Sequence, residues 1–380
     1  MSGGVLFWVQ HLLGSGHLRR IAALARATAA LGLESTVASG GLPLSHLDLG
    51  CARLVQLPPL RAADPGFRSM IDGDGQPAGE AILARRRAML TELVAAASPA
   101  VVVTETFPFG RRGLRAEALA LLDAAAGLAR PPLVVASVRD ILQRQTRPER
   151  IATMIETAQQ RYDAVLVHGD PALVRLEESF PAAALLGERV IHTGYVAAEP
   201  QLAPAPDGPG QDEVVVSVGG GLVGERLLAA AAAARPLSRQ AGGRTWRLLV
   251  GDARLQPAGP DRSPGLVIEP NRADFPELLA RCAVSVSQAG YNTVTDLFRA
   301  RARAVLVPFA GQGETEQGDR ARRLAERGLA VVVSEEALDP AVLAAAVDQA
   351  LGLPPPAHRA IDLSGAATSA RLLEQWARHV

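Results

Sequence analysis

The chain has 380 residues, 48% of them hydrophobic, and its 39 basic and 39 acidic side chains leave a formal charge of zero at pH 7. That is enough apolar material for two ordinary cores, and it leaves no broad basic field for nucleic acid. Every basic residue is arginine, which excludes a Walker phosphate loop, a Schiff-base lysine and a pyridoxal-phosphate lysine, since each needs the amine.

Taken in order, short β-branched runs alternate with alanine- and leucine-rich helical patterns. Strands are predicted near 5–9, 34–38, 53–57, 101–104, 133–137, 164–168 and 189–192, and helices near 17–30, 77–97, 113–127, 146–160 and 171–179. This is an α/β layer pattern with a mostly parallel sheet. The stretch 57–79, "LPPLRAADPGFRSMIDGDGQPAG", reads as an extended loop. Residues 197–212, rich in proline, glycine and charge, read as an interdomain linker between a first domain, 1–196, and a second, 213–362. In the second domain the alternation restarts with "EVVVSV" and "GERLLAAAAAA", followed by the apolar runs "WRLLV", "GLVIE", "AVSVS", "AVLVPF" and "AVVVS". Residues 363–380 form an amphipathic terminal helix expected to pack back on the first domain. The fold expected is two Rossmann-like domains facing a cleft, with ligands at the carboxyl ends of the strands.

Cys51 and Cys282, the only cysteines, are too far apart in sequence for a CxxC pair, and no apolar run approaches the roughly 18–20 residues that span a bilayer. A cytoplasmic protein is expected.

Candidate chemistry gathers where strands turn into helices. "HLLGSGHLRR" (11–20) places Gly14, Gly16, His17 and Arg20 between the first strand and the first helix, where free amides and the helix dipole favour an anion. A histidine there is held near neutral, fit to contact a phosphate or to act as a general base, while Arg20 adds positive charge on the same face. Glu105, after the strand in "VTETFPFG", is an alternative base or acceptor contact, or else a helix-capping acid. Arg139 and Asp140 read as a local ion pair. His168 and Asp170 read either as a cleft pair or as a helix start.

In the second domain, Gly219, Gly220 and Gly221 form a strand-to-helix turn open to an anion, or merely a tight turn. "VSVSQAGYNTVTDLF" brings Ser287, Gln288, Gly290, Asn292 and Thr293 to a helix mouth. Asp296, read as lying one turn later, can hold a ribose diol or complement the dipole. "VPFAGQGETEQ" offers Gln312, Glu316 and Gln317 to sugar hydroxyls. "DGD" at 72–74 sits in a glycine-rich loop rather than at a strand end, so no metal and no cofactor is expected. "RRR" at 85–87 and "GRRGLR" at 110–115 read as solvated faces rather than contacts to an anionic lipid.

The order of glycine turn, "SQAGYNTVTDL" and "VPFAGQGETEQ…ARRLAERG" resembles the C-terminal domain of glycosyltransferases related to the peptidoglycan N-acetylglucosaminyltransferase that forms lipid II, over 213–351. "VQHLLGSGHLRR", "VVVTETFPFGRRGLR", "SVRDIL" and "YDAVLVHGDP" resemble bacterial predicted glycosyltransferases of the same superfamily. The resemblance implies a GT-B fold and a metal-independent hexosyl- or N-acetylhexosaminyltransferase that takes a UDP-sugar. Asp296 then stands at the ribose, and Glu316 and Gln317 at the donor sugar. The family has glutamate at the first of these and paired glutamines at the others, so the donor need not be UDP-N-acetylglucosamine. A lipid-linked or polysaccharide acceptor is implied, the former with peripheral contact at the inner membrane face. The GxGHxxR pattern is also similar to the UDP-sugar hydrolase of pseudaminic acid biosynthesis, where a histidine activates water. A hydrolase, or a nucleotide-sugar-binding protein without turnover, is therefore the alternative.

Overall fold

The computed structural model describes residues 3–12, 14–44, 47–63, 69–197, 207–218, 224–251, 264–311, 314–357 and 359–379. The chain divides into two compact units, Met1–Ala198 together with Asp362–Val380, and Glu199–Ile361.

The first unit is built on a parallel sheet of seven strands: β1 (Val5–Val9), β2 (Ser35–Ser39), β3 (Arg53–Gln56), β6 (Val101–Glu105), β7 (Leu133–Arg139), β8 (Ala164–His168) and β9 (Val190–His192). Their order is β3-β2-β1-β6-β7-β8-β9. Helices α1 (Gly16–Ala30), α2 (Glu80–Ala97), α3 (Arg115–Ala126) and α4 (Pro148–Arg161) form the crossovers. Because successive side chains on a strand point to opposite faces, the unbroken apolar run "VLFWV" of β1 feeds two cores. Leu6 and Trp8 pack with Leu90 and Val94 of α2 and Leu121 of α3. Val5, Phe7 and Val9 pack with Leu18, Ile21 and Leu24 of α1 and with Leu373 and Ala377 of the terminal helix α11 (Gly365–His379).

That terminal helix is thus part of the first unit. Tyr195 N–H donates to the Asp362 carbonyl at 2.7 Å and Val196 bridges Ser364. A side chain on Gly365 would collide with the Gly194 carbonyl, which explains the glycine there.

The second unit has a six-stranded parallel sheet in the order β12-β11-β10-β13-β14-β15. The strands are β10 (Val214–Ser217), β11 (Trp246–Val250), β12 (Leu266–Pro270), β13 (Val284–Ser287), β14 (Ala304–Leu306) and β15 (Val331–Val332). Its main core joins Val214, Val216, Leu248 and Val286 to Leu227 and Leu228 of α6 (Glu225–Ala234) and to Leu343 and Val347 of α10 (Pro340–Gly352). In both sheets the strand order reverses around the first strand, between β1 and β6 and between β10 and β13. Such reversals open a crevice at the carboxyl ends of the strands.

Three readings of the sequence need correction. The stretch read as an extended loop contains an antiparallel hairpin of β4 (Leu60–Ala62) and β5 (Met70–Asp72), each strand too short to register as a pattern. Asp72 therefore ends a strand, and its carboxylate is spent on the amides of Asp74 and Gln76 at 3.0 and 2.8 Å. The helix read over 171–179 is only α5 (Leu176–Ser179), because Asp170 instead closes a turn on the Ala172 amide and accepts the Asp362 amide. Of the linker read at 197–212, residues 198–206 lie outside the described residues. No helix among the described residues is long and apolar enough to cross a membrane.

Candidate active site

β1 and β6 are adjacent, with Val5 opposite Val101 and Trp8 opposite Thr104. This register brings the loop after β1 and the last residue of β6, Glu105, to the same edge of the sheet. The loop turns at Gly14, whose φ of +64° is a left-handed conformation that glycine adopts without cost, and α1 then opens at Gly16. Its first turn holds no acidic residue, and among the described residues no side chain caps it, which suits its leading amides to an anion.

His17, in that first turn, places Nδ1 2.8 Å from Glu105 Oε1 and 3.2 Å from Thr106 Oγ1. Arg20, one turn on, bonds the same carboxylate oxygen. The second oxygen, Oε2, accepts the Ser137 hydroxyl at 2.5 Å, because Glu105 and Ser137 face each other across β6 and β7. Ser137 Oγ lies 2.9 Å from His168 Nε2, and His168 Nδ1 lies 2.9 Å from Thr193 Oγ1. Glu105, Ser137 and His168 are fully buried, whereas the His17 side chain keeps 16% of its surface.

Burial alone would raise the Glu105 pKa. The Arg20 guanidinium, His17 and the Ser137 hydroxyl outweigh it and hold the carboxyl ionised, far below its usual range. His17 is held well below its ordinary 6.5, first by burial and then by the positive charge of Arg111, against which its bond to Glu105 works. Burial pushes His168 down to about 3. An ionised carboxylate accepts and never donates, so the proton between His17 and Glu105 sits on Nδ1. Nε2, which has no hydrogen-bond partner among the described residues, carries the free lone pair.

This geometry revises several assignments. Glu105 has no exposed surface and so cannot itself take a proton from an acceptor; it orients His17. Arg20, 4% exposed, is the counter-ion of Glu105 and not an outward phosphate contact. His168 does not form a cleft pair with Asp170. The Arg139–Asp140 reading is not among those revised; Asp140 is buried and accepts the Tyr195 hydroxyl at 2.8 Å. Within "RRR", Arg86 is fully buried and paired with Glu117 at 2.6 Å, while Trp8 Nε1 and Gln10 complete the cluster. The roles of Ser137 and Thr193 were invisible in sequence, as they depend on which strands become neighbours.

In the second unit, β13 runs into α8 (Tyr291–Ala300), capped by Gly290 and again without an acidic residue or side-chain cap in its first turn. Gln288, Gly290, Asn292, Thr293 and Asp296 keep exposed surface at this mouth, while Ser287 is fully buried. Asp296 is the sixth residue of α8, one turn past the helix start as the sequence predicts, and so outside the first turn where an acid complements the dipole. Arg320, buried in α9 (Glu316–Glu326), donates to the Ala289 carbonyl at 2.8 Å and fixes the entry to α8. Glu316 is 2% exposed, whereas Gln317 is half-buried and its side-chain oxygen accepts the Phe309 amide at 3.2 Å. Gly219, Gly220, Gly221 and Gln312 lie outside the described residues. Among the described residues no cluster of three metal-ligating side chains occurs.

Residues 216–367 match the model of the glycosyltransferase family 28 C-terminal domain. That match lies almost wholly within the second unit and ends in the first residues of α11. The match covers β13, α8 and α9, the elements that build the mouth just described. A stretch of 84 residues is 37% identical to the UDP-N-acetylglucosamine–N-acetylmuramyl-(pentapeptide) pyrophosphoryl-undecaprenol N-acetylglucosamine transferase of Exiguobacterium sp.. It covers 22% of this chain, and the chain spans about a quarter (24%) of the length of that relative. Solved structures match over the full length. The calicheamicin glycosyltransferase CalG4 superposes with a TM-score of 0.62 at 18% identity, over 99% of this chain and 98% of its own. Acinetobacter baumannii MurG superposes with a TM-score of 0.62 at 15% identity, over 98% and 99%. The fold is GT-B.

Proposed function

We propose that the protein is a glycosyltransferase that moves a sugar from a nucleotide-sugar donor, UDP-linked, to a hydroxyl of an acceptor, with His17 as the general base. The observation that carries the reading is the His17–Glu105 pair at the strand reversal of the first unit. It leaves a neutral imidazole with an unprotonated, accessible Nε2 at a helix N-terminus. His17 Nε2 takes the proton of the acceptor hydroxyl as that oxygen bonds to the anomeric carbon, and the bond from that carbon to the diphosphate breaks. The nucleoside diphosphate leaves as an anion.

The family 28 domain supports placing the donor on the second unit, with the amides at the start of α8 facing the diphosphate and Asp296 the ribose. The UDP-sugar named in the Exiguobacterium relative supports uridine as the base. The acceptor belongs to the same proposal and is a hydroxyl of a lipid-linked sugar or a polysaccharide.

The test is UDP release from UDP-N-acetylglucosamine and UDP-glucose, with and without bacterial lipid and polysaccharide extracts. Release should depend on an extract and fall by about a hundredfold or more in His17→Gln, the usual worth of a general base. Equal release in plain buffer would make the protein a hydrolase instead.

A further inference from the structure

With Glu105 ionised beside Arg20 and His168 neutral, one arrangement of protons satisfies every member of the hydrogen-bonded chain behind His17. Glu105 is an acceptor at both oxygens, so the 2.5 Å contact to Oε2 requires that Ser137 donate its single hydroxyl hydrogen there. Ser137 Oγ is then only an acceptor toward His168, and Nε2 of His168, 2.9 Å away, must be its N–H. A neutral His168 with its proton on Nε2 has a bare Nδ1, and the Thr193 hydroxyl donates to it at 2.9 Å in preference to the Gly194 and Val167 carbonyls, which lie farther off at 3.2 and 3.4 Å. The direction runs from Thr193 through His168 and Ser137 to Glu105, where it meets the donation from His17. Every hydrogen in the chain points at one carboxylate.

We propose that Ser137 and His168 are positioning residues for His17, holding Glu105 in the orientation and charge state that keep the His17 proton on Nδ1 and Nε2 free. The purpose it gives His17 rests on the base reading above; the proton arrangement itself does not. The groups that bear on His17 are Arg20 from its own helix, Glu105 from β6, and Thr106 and Arg111 from the loop after β6. Those that bear on His168 are Ser137 from β7, Thr193 after β9, and the charges of Arg20 and Glu105. The two histidines never touch; the carboxylate and the serine hydroxyl connect them. Removing the Ser137 hydroxyl takes a hydrogen bond from the ionised form of Glu105, makes that carboxylate more basic, and strengthens its hold on a proton at His17.

The experiment uses full-length protein labelled with nitrogen-15 histidine, whose seven imidazoles are followed by long-range nitrogen–proton correlation spectra from pH 4 to 8. Assignment comes from His17→Gln and His168→Gln. His168 is expected as a single neutral tautomer, protonated on Nε2 and without titration, and His17 as the tautomer protonated on Nδ1. In Ser137→Ala the His17 midpoint should rise by about half a pH unit or more, on the scale of a lost hydrogen bond to a carboxylate. Ser137→Thr, which keeps the hydroxyl, should stay near wild type. His168→Gln, whose amide can donate from the place of Nε2, should also stay near wild type, while His168→Leu should shift as Ser137→Ala does. Should His168→Leu fail to fold, the serine pair still decides.

Finding His168 protonated on Nδ1, finding it charged at pH 6, or finding His17 unmoved in a folded Ser137→Ala would each overturn the proposal. Turnover plays no part in this readout. If the tautomers are as stated while His17→Gln keeps its activity, the positioning stands and the base reading fails.

Discussion

His17 Nδ1 and Glu105 Oε1 lie 2.8 Å apart although 88 positions separate them in the chain. The contact exists because β1 and β6 are neighbours at the strand reversal, and it shares its carboxylate with buried Arg20. Glu105→Gln leaves the Arg20 guanidinium buried without that charge, and a single broken partner of a buried ion pair costs about 3–5 kcal/mol. Urea unfolding should report a loss of that size. The double variant Glu105→Gln with Arg20→Met should recover part of it, since the buried guanidinium is then gone.

Stability should fall as the solution is acidified below neutrality. His17 and His168 have native pKa values pushed below the ordinary 6.5, His168 to about 3, so the unfolded chain binds more protons than the native one in that window. The stabilisation is complete above about pH 6.5 and is lost as pH falls below it. Each such imidazole contributes a slope of roughly 1.4 kcal/mol per pH unit. Urea midpoints between pH 7.5 and 5 check this, and His168→Gln should flatten the slope.

Three consecutive arginines should behave very differently. Arg86 binds Glu117 through two nitrogens at 2.6 and 2.8 Å and has no exposed surface. Arg86→Ala should cost about 3–5 kcal/mol by stranding the Glu117 carboxylate. Arg85→Ala should stay within about 0.5 kcal/mol, as exposed positions do. Chemical denaturation of the two variants side by side measures the contrast.

Removing residues 365–380 should weaken the first unit selectively. Leu373 and Ala377 are buried against the core that Phe7 and Ile21 share. Hydrogen exchange should show lost protection in α1, with α6 and α10 of the second unit keeping theirs.

The layered fold was legible because it rests on local signals: unbroken apolar runs for buried parallel strands, and glycine or proline where they turn. Fifteen-residue helices announce themselves by their period, while the three-residue strands β4 and β5 do not. His17 and Glu105 were each recognisable as chemistry-bearing residues at strand ends. That they meet was not, because strand order is a property of the whole sheet. The same gap hid Ser137 and misread His168, whose partners Ser137 and Thr193 come from β7 and from just after β9. Arg86 illustrates the opposite failure: a charge run looks solvated until a carboxylate from another helix, here Glu117 of α3, is found to cover its middle member.

The most direct measurement is a thermal-shift and calorimetric screen of UDP, GDP, dTDP and CDP on wild type and on Asp296→Ala. A ligand at 100 times its Kd stabilises the native state by about 2.7 kcal/mol. UDP should stabilise the wild type selectively and lose most of that effect in Asp296→Ala, which removes the carboxylate assigned to the ribose. No stabilisation by any of the four nucleotides, or a UDP effect untouched by Asp296→Ala, would contradict the donor site and with it the assignment of sugar transfer to this fold.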